Sequence, residues 1–229
     1  MSHDRIAKAF DGWVESGFAD GMEKDHGDVV AQVIESLQVK PGERILELGC
    51  GLGWATRKLA QLGPGVQAIG VDASPKMVAK AEAGSSLTIR ARYEVCPFEA
   101  LDFPDAHFDR AFSMEALYYA ADLDAALTEL HRVLKPGTAA DVVLNFFTEN
   151  AGTEAWRTHI DTEMIRLSED EWKQRFQAAG FAEVTTQRVV DRRGPGDEAA
   201  FRPSKWCDSW ETQRAIHAAG SLWIHARKG

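Results

Sequence analysis

Glu47, Gly49, Gly51 and Gly53 at alternating positions, followed by Asp72, are the residues whose types and spacing best suit ligand chemistry. They stand in two strings, Ile45-Leu46-Glu47-Leu48-Gly49-Cys50-Gly51-Leu52-Gly53-Trp54 and Val71-Asp72-Ala73-Ser74. Each string opens on an apolar run that reads as a buried strand, and the separation of Gly49 from Asp72 suits one strand–helix–strand unit. Glycines in the turn let the backbone bend sharply and leave main-chain groups open to a ligand that a Cβ would hold off. A carboxylate at the tip of the second strand can accept both hydroxyls of a ribose. The glycine spacing differs from the G-x-G-x-x-G of dinucleotide folds, and Glu47 ahead of it would repel a pyrophosphate. That acid suits a nucleoside bearing an ammonium group.

Two further strings lie downstream, Phe108-Asp109-Arg110-Ala111-Phe112-Ser113 and Glu129-Leu130-His131-Arg132-Val133-Leu134-Lys135-Pro136-Gly137. With these four strings in order over roughly residues 40 to 147, the chain resembles the class I S-adenosylmethionine-dependent methyltransferases, small-molecule enzymes of the type 11-like group. The resemblance implies an α/β, Rossmann-like fold. Its seven-stranded, mostly parallel sheet has the order 3-2-1-4-5-7-6, with the last strand antiparallel and N-terminal helices as a lid. It implies S-adenosylmethionine as cofactor. Gly49, Cys50 and Gly51 would then meet its methionine end, with Gly53 also in the cofactor-binding set and Glu47 bracing that loop or drawing the ammonium. Asp72 would bind the ribose, Ala73 would lie against the adenine, and Met77 would also belong to the cofactor-binding set. The family carries an acid after the third strand for the adenine amino group, and this chain has Pro97 there. Phe98 and Glu99 are the expected substitutes, by stacking and by accepting the amino group. Ser113, at the end of the fourth strand, is expected to face the transferred methyl group.

A sulfonium already activates its methyl group, so the protein must align the acceptor and exclude water. A proton acceptor is needed only for an alcohol, a carbon acid or a protonated amine. His26, Glu115 and Tyr118 are the expected catalytic residues, with Tyr119, Asn145 and His217 as further candidates. His26 closes the segment Gly21-Met22-Glu23-Lys24-Asp25-His26, placed where a lid would bend. Tryptophans 13, 54, 156, 206 and 210 suggest either an aromatic enclosure for the acceptor or plain core packing.

Composition narrows the partners. At 229 residues and 45% hydrophobic content the chain can bury a full core, which argues against disorder. A net charge of −9 disfavours nucleic acid, whose phosphates are gripped by lysine and arginine, and no Asn/Asp-Pro-Pro-Tyr/Phe motif of nucleobase methylation follows the fourth strand. The expected partner is a small-molecule substrate, with no nucleic acid and no membrane. The N-terminus lacks a signal-peptide pattern and no apolar run reaches membrane length, so a cytoplasmic location is expected. Cys50, Cys96 and Cys207 have no metal spacing, and no metal is expected. Cys50 and Cys96 should flank the cofactor site, as small packing groups or as a thiol site for a soft metalloid. A cofactor-holding module without catalysis and a dinucleotide oxidoreductase are the competing functional classes.

The elements that must position these residues follow from periodicity. Two helices are predicted before residue 40, on Ile6, Phe10, Trp13 and Val14, then on Val29, Val30, Val33, Ile34 and Leu37. Strands are predicted at 44–48, 67–71, 88–95, 108–113, 139–145, 182–190 and 222–227. Ser74-Pro75 starts one helix. Another spans 122–134 and is stopped by Pro136-Gly137, and a third opens on the capping box Ser168-x-x-Glu171 and closes at Gly180. One domain is expected: residues 1–40 as lid, 41–147 as cofactor-binding core, and 148–229 as a C-terminal part whose stretches 146–166 and 191–206 select the substrate.

Overall fold

The computed structural model describes residues 2–160 and 162–229. Seven strands form one sheet: β1 (Arg44–Leu48), β2 (Gln67–Asp72), β3 (Ala91–Val95), β4 (Phe108–Met114), β5 (Leu134–Leu144), β6 (Phe181–Val189) and β7 (Ser221–Lys228), in the order β3-β2-β1-β4-β5-β7-β6. Strands β1 to β5 pair in parallel, while β7 runs antiparallel to both β5 and β6. The order reverses at β1 and β4, and the carboxyl ends of those strands flank the crevice where open α/β sheets bind ligands.

Central strands are covered on both faces and read as continuous apolar runs, whereas edge strands alternate. Ile45, Leu46 and Leu48 of β1 are fully buried, but β3 at one edge buries only Tyr93. Successive residues point to opposite faces, so Leu46 and Leu48 join one core and Ile45 the other. The first core packs the sheet against α5 (Leu123–Val133) and α6 (Glu169–Ala178) through Leu127, Leu130, Trp172 and Phe176. The second packs it against α2 (Met22–Ser36) and α3 (Trp54–Leu59) through Val30, Val33, Ala55 and Leu59. Two further helices are α1 (His3–Glu15) and α4 (Pro75–Ala83), the latter capped by Ser74, whose hydroxyl accepts from Met77 N at 3.1 Å.

Three expectations need correction. Pro136-Gly137 do not end α5; they lie inside β5, which starts at Leu134 directly after the helix. The β4–β5 register shifts between Phe108 and Arg110, so Lys135–Thr138 bulge from the ladder, the position in a sheet where proline is tolerated. The third strand begins at Ala91 rather than Thr88, after a turn in which Ile89 N donates to Ser86 O at 3.0 Å. A seventh helix, α7 (Trp210–Ala219), was not predicted; it buries no residue fully and so has no apolar stripe to read.

Candidate cofactor and acceptor site

The turn after β1 is tied to the tip of β2. Gly49 N and Cys50 N both donate to Val71 O, at 2.8 and 3.0 Å. Asp72 completes the join: Oδ2 accepts from Gly51 N at 2.9 Å, and Oδ1 accepts from Ser74 N at 2.9 Å. Two acceptor positions of that carboxylate remain unused. Burial pushes its pKa up to about 6, against the two backbone N–H groups that pull it down, so it is ionised above neutral pH.

Each glycine of the turn does something different. A Cβ on Gly49 would lie 2.1 Å from the Ala116 Cβ, and one on Gly53 would lie 2.4 Å from the Tyr93 ring. Both positions serve close packing. Gly51, at φ +50°, has nothing within 4 Å of the place its Cβ would take. That space belongs to a cavity of about 890 Å³, including its open mouth. Glu47, Gly49, Cys50, Gly51 and Leu52 line it from the β1 turn, and Asp72, Ala73 and Met77 line it from β2 and α4. Pro97, Phe98 and Glu99 close the same end. The rest of the lining includes Ile6, Phe10 and Trp13 of α1, His26 of α2, Trp54 of α3, Met114 at the end of β4, and Glu115, Ala116 and Tyr119 after it.

Glu47 is 2% exposed and its Oε2 accepts a short hydrogen bond from Thr56 Oγ1. Burial first, and Asp72 nearby, push its pKa up to about 8. It is therefore mostly protonated at neutral pH and braces α3 against the turn. Glu99 does not stand free: Oε1 accepts from Asp122 N at 3.0 Å, and Oε2 lies 2.9 Å from His3 Nε2.

Glu115 takes a backbone conformation uncommon for a residue with a side chain, φ +52°. Three bonds hold it there. Its N donates to Val143 O at 2.9 Å, its Oε2 accepts from Tyr118 Oη at 2.8 Å, and its Oε1 accepts from Asn145 N at short range. Burial raises its pKa to about 7. Burial also lowers that of His26, against the opposing pull of Asp25, so its ring is neutral at physiological pH.

The structure thus brings together on one cavity Glu47, Gly49, Cys50, Gly51, Asp72, Ala73, Met77, Phe98, Glu99, His26 and Glu115. Three expected residues stand outside its lining. Gly53 faces Tyr93; Ser113 is fully buried, its hydroxyl donating to Leu48 O at 3.0 Å; Tyr118 is in the core and reaches the cavity only through Glu115. Asn145 and His217 are also outside, their side chains bonded to Ser221 Oγ and Asp191 O. Cys96 is buried, with Sγ 3.2 Å from Ala100 O. Of the tryptophans, 13 and 54 line the cavity, while 156 and 206 pack behind Trp13. Neither 146–166 nor 191–206 contributes a lining residue among those described. Sequence reasoning missed Asp11, whose Oδ1 accepts from Ser74 Oγ at 2.5 Å and Lys76 N at 3.2 Å, fixing α1 over the cavity. A lone acid on a helix face carries no signal for that role.

The described residues contain no helix long and apolar enough to cross a membrane, and no cluster of three or more His, Cys, Asp or Glu that could hold a metal ion.

Glycine turn, buried carboxylate at the tip of β2 and sheet order together define an α/β protein with a ligand crevice at the switch in strand order, and comparison with known proteins specifies the class. The methyltransferase domain family matches residues 46–140. A chain from the solved complex between the Haloferax volcanii Trm112 methyltransferase activator and a methyltransferase is 31% identical, superposes with a TM-score of 0.86, and the match covers 95% of this chain and 96% of that one. The 2-methyl-6-phytyl-1,4-hydroquinone methyltransferase of Synechocystis is 32% identical over 159 residues, 60% of this chain and 50% of that protein. The malonyl-[acyl-carrier protein] O-methyltransferase of Halorhodospira halophila is 34% identical over 115 residues, 50% of this chain and 39% of that protein. The matches thus span half or less of these curated relatives. This chain belongs to the class I S-adenosylmethionine-dependent methyltransferase family, whose cofactor is S-adenosylmethionine. The residues present fit that cofactor: Gly51 leaves the space, Asp72 keeps free lone pairs, and Ala73, Met77 and Phe98 offer an apolar slot.

Proposed function

We propose that the chain transfers a methyl group from S-adenosylmethionine to a small-molecule acceptor, releasing S-adenosylhomocysteine. The observation that carries this reading is the Asp72 carboxylate, locked onto Gly51 N on a cavity that Phe10, Trp13, Trp54, Phe98 and Tyr119 also line. Bound there, the sulfonium supplies an activated methyl carbon. Asp72 holds the ribose, and the 49–51 turn receives the amino-acid end. The helices α1 and α2 act as the lid: Ile6, Phe10 and Trp13 exclude water from the acceptor.

Glu115 and the neutral ring of His26 are the proton acceptors within the cavity. Tyr118 acts through Glu115 as a positioning residue. The two curated relatives are named for unlike acceptors, a hydroquinone and a malonyl-[acyl-carrier protein], so neither acceptor is carried to this chain.

Incubation with methyl-labelled S-adenosylmethionine and a cell extract tests the reading. Label recovered in the small-molecule fraction supports it. Label confined to macromolecules, or no label transferred, contradicts it.

A further inference from the structure

Charge is distributed unevenly around the cavity wall. Among the described residues that line it, Glu47, Asp72, Glu99 and Glu115 carry carboxyl groups, His3 and His26 carry imidazoles, and none is lysine or arginine. Three of the carboxyl groups belong to the cofactor end. Asp72 is tied to the turn, Glu47 to Thr56, and Glu99 to the Asp122 amide and His3.

Glu115 is the remaining carboxyl group, on the segment after β4 whose Tyr119 packs edge-on against Phe10 of α1. Each of its oxygens accepts one hydrogen bond, from Tyr118 Oη and from Asn145 N, so each keeps a lone pair. Its uncommon backbone conformation is held by surrounding bonds, a pattern concentrated where function demands the geometry. On the same cavity, Phe10, Trp13, Trp54 and Tyr119 supply aromatic surface.

An anionic acceptor would shed its hydration here, meet no lysine or arginine, and approach carboxyl groups instead. A protonated amine meets the reverse: a carboxylate to pair with and aromatic rings that favour a cation. We propose that the acceptor is a small primary or secondary amine on an apolar or aromatic body, seated with its nitrogen at Glu115. This rests on the methyl-transfer reading above.

The ammonium gives one N–H proton to the Glu115 carboxylate, which frees an electron pair on nitrogen. That pair forms the new N–C bond to the methyl carbon while the C–S bond breaks, its electrons remaining on sulfur as a neutral thioether. The methylated nitrogen carries the positive charge, and the proton on Glu115 passes to solvent when product leaves. Because burial already holds this carboxyl near pH 7, it can both take and return that proton.

Two successive calorimetric titrations of the full chain test the assignment. S-adenosylhomocysteine is added first, and then, to the loaded protein, matched pairs: phenylethylamine against phenylacetate, and tryptamine against indole acetate. The amine of each pair is expected to bind about tenfold or more tighter than its carboxylate. Glu115→Gln is expected to bring the pair to within about twofold, although the wild-type comparison stands without any variant. Carboxylates binding as tightly as amines, or neither binding to the loaded protein, overturns the amine assignment and leaves the methyltransferase reading intact. A preference that survives Glu115→Gln overturns the role given to Glu115. Failure of the first titration defeats the methyltransferase reading, and the amine assignment with it.

Discussion

Gly49 and Gly51 stand two residues apart and use the space of a missing side chain in opposite ways. At Gly49 that space is filled by Ala116, and at Gly51 it is the cavity. Gly49→Ala should therefore cost the fold, lowering the melting temperature sharply, because neither backbone can yield. Gly51→Ala should cost about 1–2 kcal/mol of stability for its left-handed conformation and weaken S-adenosylhomocysteine binding far more than that loss explains. Equal loss of melting temperature in the two variants would contradict this division. That Asp72 and the glycine turn meet on one cavity was legible because residue type and spacing encode their placement together. Ser113 and Gly53 were legible as positions but not as contacts: strand register turns the Ser113 hydroxyl back to Leu48 O, and Tyr93 occupies the space beside Gly53. Nothing in the local sequence announces either.

α1 is fastened to α4 by polar contacts rather than by a deep apolar face; it buries only Ile6 fully. Asp11 binds Ser74 Oγ and Lys76 N, Glu15 pairs with Lys76, and Asp20, just past the helix, pairs with Lys80 at 2.7 Å. The two ion pairs are exposed and contribute little, about 0–1 kcal/mol each. Asp11 contributes more because it engages the start of α4 beside Asp72. Asp11→Ala should loosen the lid and raise the dissociation constant of S-adenosylhomocysteine about threefold to tenfold, with the melting temperature nearly unchanged. A tight complex with an unaltered constant would show that α1 is not held through Asp11. Periodicity found α1 and α2 but could not say which face met the ligand. Periodicity also missed α7, which has only the cap Ser209-x-x-Thr212 and Gly220 to mark it. It misread Pro136-Gly137 as a stop because a bulge and a turn use the same residues.

Across the whole molecule, the cavity concentrates buried acids whose pKa values are raised. Glu47 is raised to about 8, Glu115 to about 7 and Asp72 to about 6, each chiefly by burial. Between their ordinary values and these, the folded chain holds more protons than the unfolded one, so stability falls as pH rises. His26, His107 and His131 are lowered and act in the opposite sense, but only near and below their ordinary value of 6.5. Without ligand the protein should therefore melt lower at about pH 9 than at about pH 6.5, and Glu47→Gln should flatten the upper part of that slope. Melting curves that rise over this interval would refute it. The seven-strand order was legible only through resemblance, since alternation of strand and helix gives a parallel sheet but not its sequence of neighbours. Titration of S-adenosylhomocysteine into the wild-type chain and into Asp72→Ala tests most directly whether this crevice is the cofactor site. Loss of two charge-assisted hydrogen bonds should weaken binding about a hundredfold. An unchanged affinity in the variant would contradict the assignment.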